Sequence, residues 1–112
     1  MTVFTPRRFA MIVGAAVLAG MPGSAVAAPR THTVVIDKMK FGAIPTNLRV
    51  GDVILWVNRD MFRHTATARD RSFNVDLAPS QTARTMLRRS GAVPFDCTYH
   101  PGMKGRLIVA RK

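Results

Sequence analysis

The chain has 112 residues, 47% of them hydrophobic, with seven prolines, eight glycines and a formal net charge of +11. That length makes one domain, and the apolar content with its frequent turn formers excludes a disordered tail. A single cysteine, Cys97, excludes an internal disulfide, and the lack of a Cys-x-x-Cys pattern or paired carboxylates excludes the usual machinery of an enzyme.

Residues 1–27 read as a cleaved signal peptide. Arg7 and Arg8 give a basic start, Phe9 to Gly20 is an uncharged apolar run, and Ala25-Val26-Ala27 offers the small residues of a cleavage site. The run is shorter than the roughly 20 residues of a spanning helix. The expected product is a periplasmic protein, cut after about Ala27, with no stable membrane insertion. Pro6 and Phe9 flank the arginine pair in an unusual way, so the pair does not decide between the general and the twin-arginine export route.

The remaining domain, residues 28–112, has 85 residues; taking Arg7 and Arg8 from the 17 basic residues leaves fifteen against six aspartates, a net charge of +9. A domain of this size buries only about two-thirds of the surface of its unfolded chain and gains from a staple. Without a disulfide the staple must be of another kind.

In chain order, Thr33–Met39, Val53–Asn58, Thr82–Arg88, Val93–Cys97 and Arg106–Ala110 are short segments rich in β-branched or apolar residues. Turn formers separate them at Gly51-Asp52, Asn58-Arg59-Asp60, Ala78-Pro79-Ser80, Ser90-Gly91 and Pro101-Gly102. No sustained helical period is present. The pattern predicts an all-β sandwich, with Trp56 and Phe95 as core anchors. His32 receives no role.

The chemistry gathers around Cys97. The run Cys97-Thr98-Tyr99-His100-Pro101-Gly102-Met103 sets a thiolate, an imidazole and a thioether three residues apart, and His64 lies 33 positions upstream. Soft sulfur and intermediate imidazole ligands suit copper, whereas magnesium and calcium take oxygen. Zinc also takes Cys and His, but structural zinc sites use closely spaced ligand pairs and methionine is not a normal zinc ligand. Two histidines and a cysteine with a weak axial methionine define an electron-transfer copper site. Singly, Cys97 and Met103 could be core fillers and His100 a turn residue. Clustered around Pro101-Gly102, which bends the chain, they read as converging ligands.

The stretch Cys97 to Gly105 resembles the copper-binding loop of the cupredoxins, the type 1 blue copper family. Its short spacing is similar to that of the amicyanins and shorter than in plastocyanin and pseudoazurin. The segment Val50 to Arg59 with His64, together with Phe41 and Pro45, resembles the family's approach to its first histidine. The resemblance implies a Greek-key β-sandwich of about seven to eight strands, binding one copper ion through His64, Cys97, His100 and Met103 and passing single electrons between redox partners. It implies that Met61, Phe62 and Pro101 form a docking patch around His100. It also departs from the family at one place: the position after the first histidine, commonly asparagine, is Thr65, preceded by Arg63. That change bears on the site's potential and rigidity.

A basic domain steers toward acidic partners. Arg59, Arg63, Arg69 and Arg71 flank His64 in sequence, so an acidic redox protein (a cytochrome, dehydrogenase or oxidase) is the expected partner of a monomer. Export and the absence of any nucleic-acid motif argue against nucleic acid. Copper storage or delivery is the other reading of the same ligands; a cysteine at the centre of a four-ligand set favours retention over release.

Overall fold

The computed structural model describes residues 28–112 together with Val3, Gly14 and Gly20; the expected signal peptide otherwise lies outside the described residues. Nine strands follow in order: β1 Thr31–Asp37, β2 Lys40–Phe41, β3 Leu48–Arg49, β4 Val53–Asn58, β5 His64–Ala68, β6 Asn74–Leu77, β7 Thr82–Met86, β8 Gly91–Asp96 and β9 Lys104–Ala110. They form two sheets, β2-β1-β4-β7 and β3-β9-β8-β5-β6. Seven strands have four residues or more, and two have only two, so the expected sandwich of seven to eight strands is borne out. The β4–β5 and β6–β7 connections cross from one sheet to the other, as a Greek key requires.

β1 begins two residues earlier than its apolar pattern indicates and ends at Asp37. The reason is the next turn: Lys38 and Met39 have φ of 51° and 60°, and Asp37 pairs with Lys40. Two central residues at positive φ make the tight hairpin whose twist matches its strands. β5 and β6 have no counterpart among the strands read from composition. β5 is His-Thr-Ala-Thr-Ala, buried along nearly its whole length, and β6 carries Asn74 and Asp76, residues depleted from strands. Both are held by pairing with neighbours rather than by propensity.

The core lies between the sheets. Trp56 and Phe95 are fully buried and meet edge to face with centroids 5.3 Å apart, while Phe41 packs on Phe95 at 4.7 Å. The Trp56 indole N–H donates to Thr85 Oγ1 at 3.0 Å, so the ring is buried without an orphan donor. On β9, Gly105 faces Phe95 across the ladder. A β-carbon there would run into the Phe95 ring, which is why this close approach takes glycine.

Candidate metal centre

β4 ends and β5 begins at one end of the sandwich, and the β8–β9 connection closes over the same end. His64 is the first residue of β5 and Cys97 follows β8 directly; His100 and Met103 occupy the connection to β9. His64, Cys97 and Met103 are buried, and His100 is half-buried. The loop is pinned from inside by two backbone bonds: Met103 N–H donates to His100 C=O at 2.8 Å, and Cys97 N–H donates to Met103 C=O at 3.0 Å. Met103 is thereby turned into the core beside Cys97, and Pro101-Gly102 forms the exposed tip.

Three donor atoms converge. Cys97 Sγ lies 3.8 Å from His64 Nδ1 and 3.7 Å from His100 Nδ1, and all three lie within 4.8 Å of one another. Metal–sulfur and metal–nitrogen bonds of about 2.3 and 2.05 Å, opened to a planar 120°, put sulfur and nitrogen about 3.8 Å apart. The spacing therefore fits a single metal ion shared by the three donors.

The His64 tautomer is fixed from behind. Its Nε2 lies 2.9 Å from Asp60 Oδ2, and a carboxylate only accepts, so Nε2 carries the proton and Nδ1 offers its lone pair toward Cys97. Asp60 is itself held by the N–H groups of Met39 at 2.9 Å and Met61 at 2.8 Å. The bond from His64, with those from Met39 and Met61, keeps the Asp60 carboxyl below its ordinary value. Asn58 completes the shell: its side-chain amide donates to Phe62 C=O at 2.8 Å and Leu77 C=O at 3.1 Å, and its Oδ1 accepts from Asp60 N–H at 2.9 Å. Asp60 was legible only as a turn residue; its place four residues before His64 was the available signal.

Thr65 ties the two ligand segments together. Its N–H donates to Cys97 Sγ at 3.3 Å, and its hydroxyl accepts from Thr98 N–H at 2.8 Å. The bridge that an asparagine commonly makes in the family is here made by a threonine, with Thr67 and Thr98 hydroxyls extending it at 3.0 and 3.2 Å.

Around His100 the surface is apolar, with Met61 and Phe62 exposed and the Phe62 ring 6.3 Å from that of His100. Tyr99 is also exposed. Its hydroxyl donates to Asp76, which accepts Arg63 as well, at 2.9 and 2.8 Å. The four flanking arginines do not form one surface. Arg63 is paired with Asp76, Arg69 is 3.5 Å from Asp96, and Arg71 lies in the β5–β6 turn at the far end of β5 from His64.

Two antiparallel-rich sheets with a His–Cys–His cluster under one end loop match the β-sandwich of the cupredoxins. Known proteins narrow this further. Amicyanin of Paracoccus versutus is 26% identical over 95 residues, spanning 79% of this chain and 72% of the relative. Amicyanin-alpha of Methylorubrum extorquens is 29% identical over 102 residues, spanning 85% and 86%. A solved Cu(I) form of an amicyanin mutant superposes with a TM-score of 0.62 at 26% identity, covering 71% of this chain and 82% of that one. No family model matches. In sequence and in fold the chain is similar to the amicyanins.

Proposed function

We propose that this chain is a type 1 copper protein of the periplasm, freed of its signal peptide after about Ala27, that carries single electrons as a monomer. The observation that carries the reading is the convergence of Cys97 Sγ with His64 Nδ1 and His100 Nδ1 at 3.8 and 3.7 Å. His64, Cys97 and His100 would hold copper, and the thioether of the buried Met103 would serve as a fourth, weaker ligand. Bound there, copper supplies a one-electron Cu(II)/Cu(I) couple.

The chain's residues do the rest. Cys97 binds as thiolate, and the Thr65 N–H stabilises charge on its sulfur. Asp60 fixes the His64 ring, so the donor positions change little between charge states, which keeps reorganisation small. Burial of His64, Cys97 and Met103 excludes water. The half-exposed His100, framed by Met61, Phe62 and Pro101, is the point where electrons enter and leave. An acidic cytochrome, dehydrogenase or oxidase is the partner class that the +9 charge favours, with Arg59 and Lys104 exposed at this end. The resemblance to amicyanins favours a carrier over an enzyme.

Addition of Cu(II) to the purified protein tests this. An intense blue colour is expected, lost in Cys97→Ser and altered in His100→Ala. A colourless complex from which a chelator strips copper readily would overturn electron transfer in favour of delivery.

A further inference from the structure

The basic residues are distributed unevenly. At the metal end, Arg63 is taken by Asp76 at 2.8 Å. At the opposite end, where β1, β4 and β8 begin and β3, β7 and β9 finish, the chain exposes Arg30, Arg49, Arg88, Arg89, Arg111 and Lys112. Backbone hydrogen bonds make these neighbours. Arg30 C=O accepts from Val53 at 2.8 Å, Gly51 donates to Leu87 C=O at 2.7 Å, and Val50 donates to Ala110 C=O at 2.9 Å. Arg88 and Arg111 step out from the last two of these contacts. Lys112 crosses back over Gly51, its Cε 3.8 Å from where a β-carbon would stand.

Among the described residues two aspartates share this end, and neither neutralises the group. Asp52 is nearly buried, and its oxygens are occupied by the N–H groups of Arg30 and Arg49 and the ring of His32. Asp70 takes Arg89 at 3.3 Å. Among the described residues, the other five cations have no ion-pair partner.

We propose that this basic end docks on the anionic face of a lipid bilayer, leaving the metal end turned outward. Guanidinium groups match phosphate in fork geometry, and each cation held near an anionic bilayer strengthens binding about fivefold at low salt. An acidic protein would use the same charge, but protein interfaces centre on buried aromatic or aliphatic anchors. Here most of those lie elsewhere: Met39, Met61, Phe62 and Tyr99 are exposed at the metal end and Ile108 lies on an outer sheet face, while Met86, the last residue of β7, is the one large exposed apolar side chain beside the cations among the described residues.

The test is sedimentation of the full chain, as processed by its host, with vesicles of phosphatidylcholine alone or with roughly one-third phosphatidylglycerol. Arg7 and Arg8 of an uncleaved leader would themselves favour anionic vesicles, so each variant is compared with the parent protein prepared and processed in the same way. The anionic-to-neutral binding ratio is expected to fall at least about tenfold in Arg88→Glu/Arg111→Glu and to collapse with added salt. Arg59→Glu/Lys104→Glu makes the same charge change at the metal end and should lower the ratio less than about threefold. Arg88→Gln/Arg111→Gln, with its unfolding midpoint measured, guards against misfolding. Equal binding to both vesicles, or equal loss in both reversal variants, overturns the proposal. So does a distal-end variant that keeps vesicle binding but loses a complex with polyglutamate, which would make the surface a dock for acidic protein.

Discussion

The backbone N–H of Thr65 donates to Cys97 Sγ at 3.3 Å, and the hydroxyl of the same residue accepts the N–H of Thr98 at 2.8 Å. One residue on β5 thus controls both the charge on the sulfur and the path of the ligand loop. The two functions separate by mutation, since the first is a backbone bond and the second a side-chain bond.

Thr65→Val keeps the shape and the bond to sulfur but removes the acceptor for Thr98. The orphaned N–H should cost about 1–2 kcal/mol in denaturant unfolding. Blue colour should persist with a shifted band, because the sulfur keeps its donor while the loop loosens. A variant with an unchanged unfolding midpoint and an unchanged spectrum would show that the hydroxyl bridge is not what holds the loop.

Asp60 acts on the other side of the site. In Asp60→Ala the buried His64 Nε2 loses its acceptor, and the ring loses the contact that selects its tautomer. Copper affinity, measured by competition with a Cu(I) chelator, should fall about 10- to 100-fold. Asp60→Asn can still accept through its amide oxygen, so its loss should be smaller. The order of the two variants distinguishes orientation of the ring from a loss of charge.

The convergence of His64, Cys97 and His100 and the sandwich class were legible because soft donors cluster around Cys97 and because β4, Val53–Asn58, is apolar at every position before its final Asn58. β5 was not legible: alanine and threonine alternate in it without a hydrophobic stripe, and its burial comes from both neighbours, β6 and β8. The supporting shell was hidden for a different reason. Asp60, Asn58 and Met39 meet only after a hairpin and a β4–β5 crossover, contacts over as many as 21 positions that no local pattern encodes. The arginines near His64 were close in sequence but divided by strand direction, since β5 carries Arg71 away from the metal end.

Asp52 is one of two nearly buried carboxyls, with Asp60, that shape the acid side of the stability curve. Burial raises its pKa, but the N–H of Arg30, the His32 ring and the N–H of Arg49 outweigh this and hold the carboxyl below 3.8. A carboxyl lowered in the fold contributes stability that is complete above the ordinary value and disappears as pH falls through its folded value. Stability should therefore drop below about pH 4. Asp70 and Asp76 shift the same way, but their pairs are solvent-exposed and add little. Asp52→Asn should lose about 1–3 kcal/mol at neutral pH and flatten the acid limb of urea midpoints measured against pH.

Gly105 and Gly102 give opposite outcomes for the same added methyl group. A β-carbon on Gly105 collides with the Phe95 ring, whereas one on Gly102 meets nothing within 4 Å. Phe95 cannot yield freely, being packed between Phe41, Trp56 and Phe73 at centroid distances of 4.7, 5.3 and 6.1 Å. Gly105→Ala should thus cost about 1–3 kcal/mol by overpacking, while Gly102→Ala stays within about 0.5 kcal/mol. The damage should also reach the metal end, because Phe95 stands two residues before Cys97 on the strand that delivers the sulfur. A copper spectrum altered in Gly105→Ala and unchanged in Gly102→Ala would show that the aromatic core, more than the exposed tip of the ligand loop, sets the position of the thiolate.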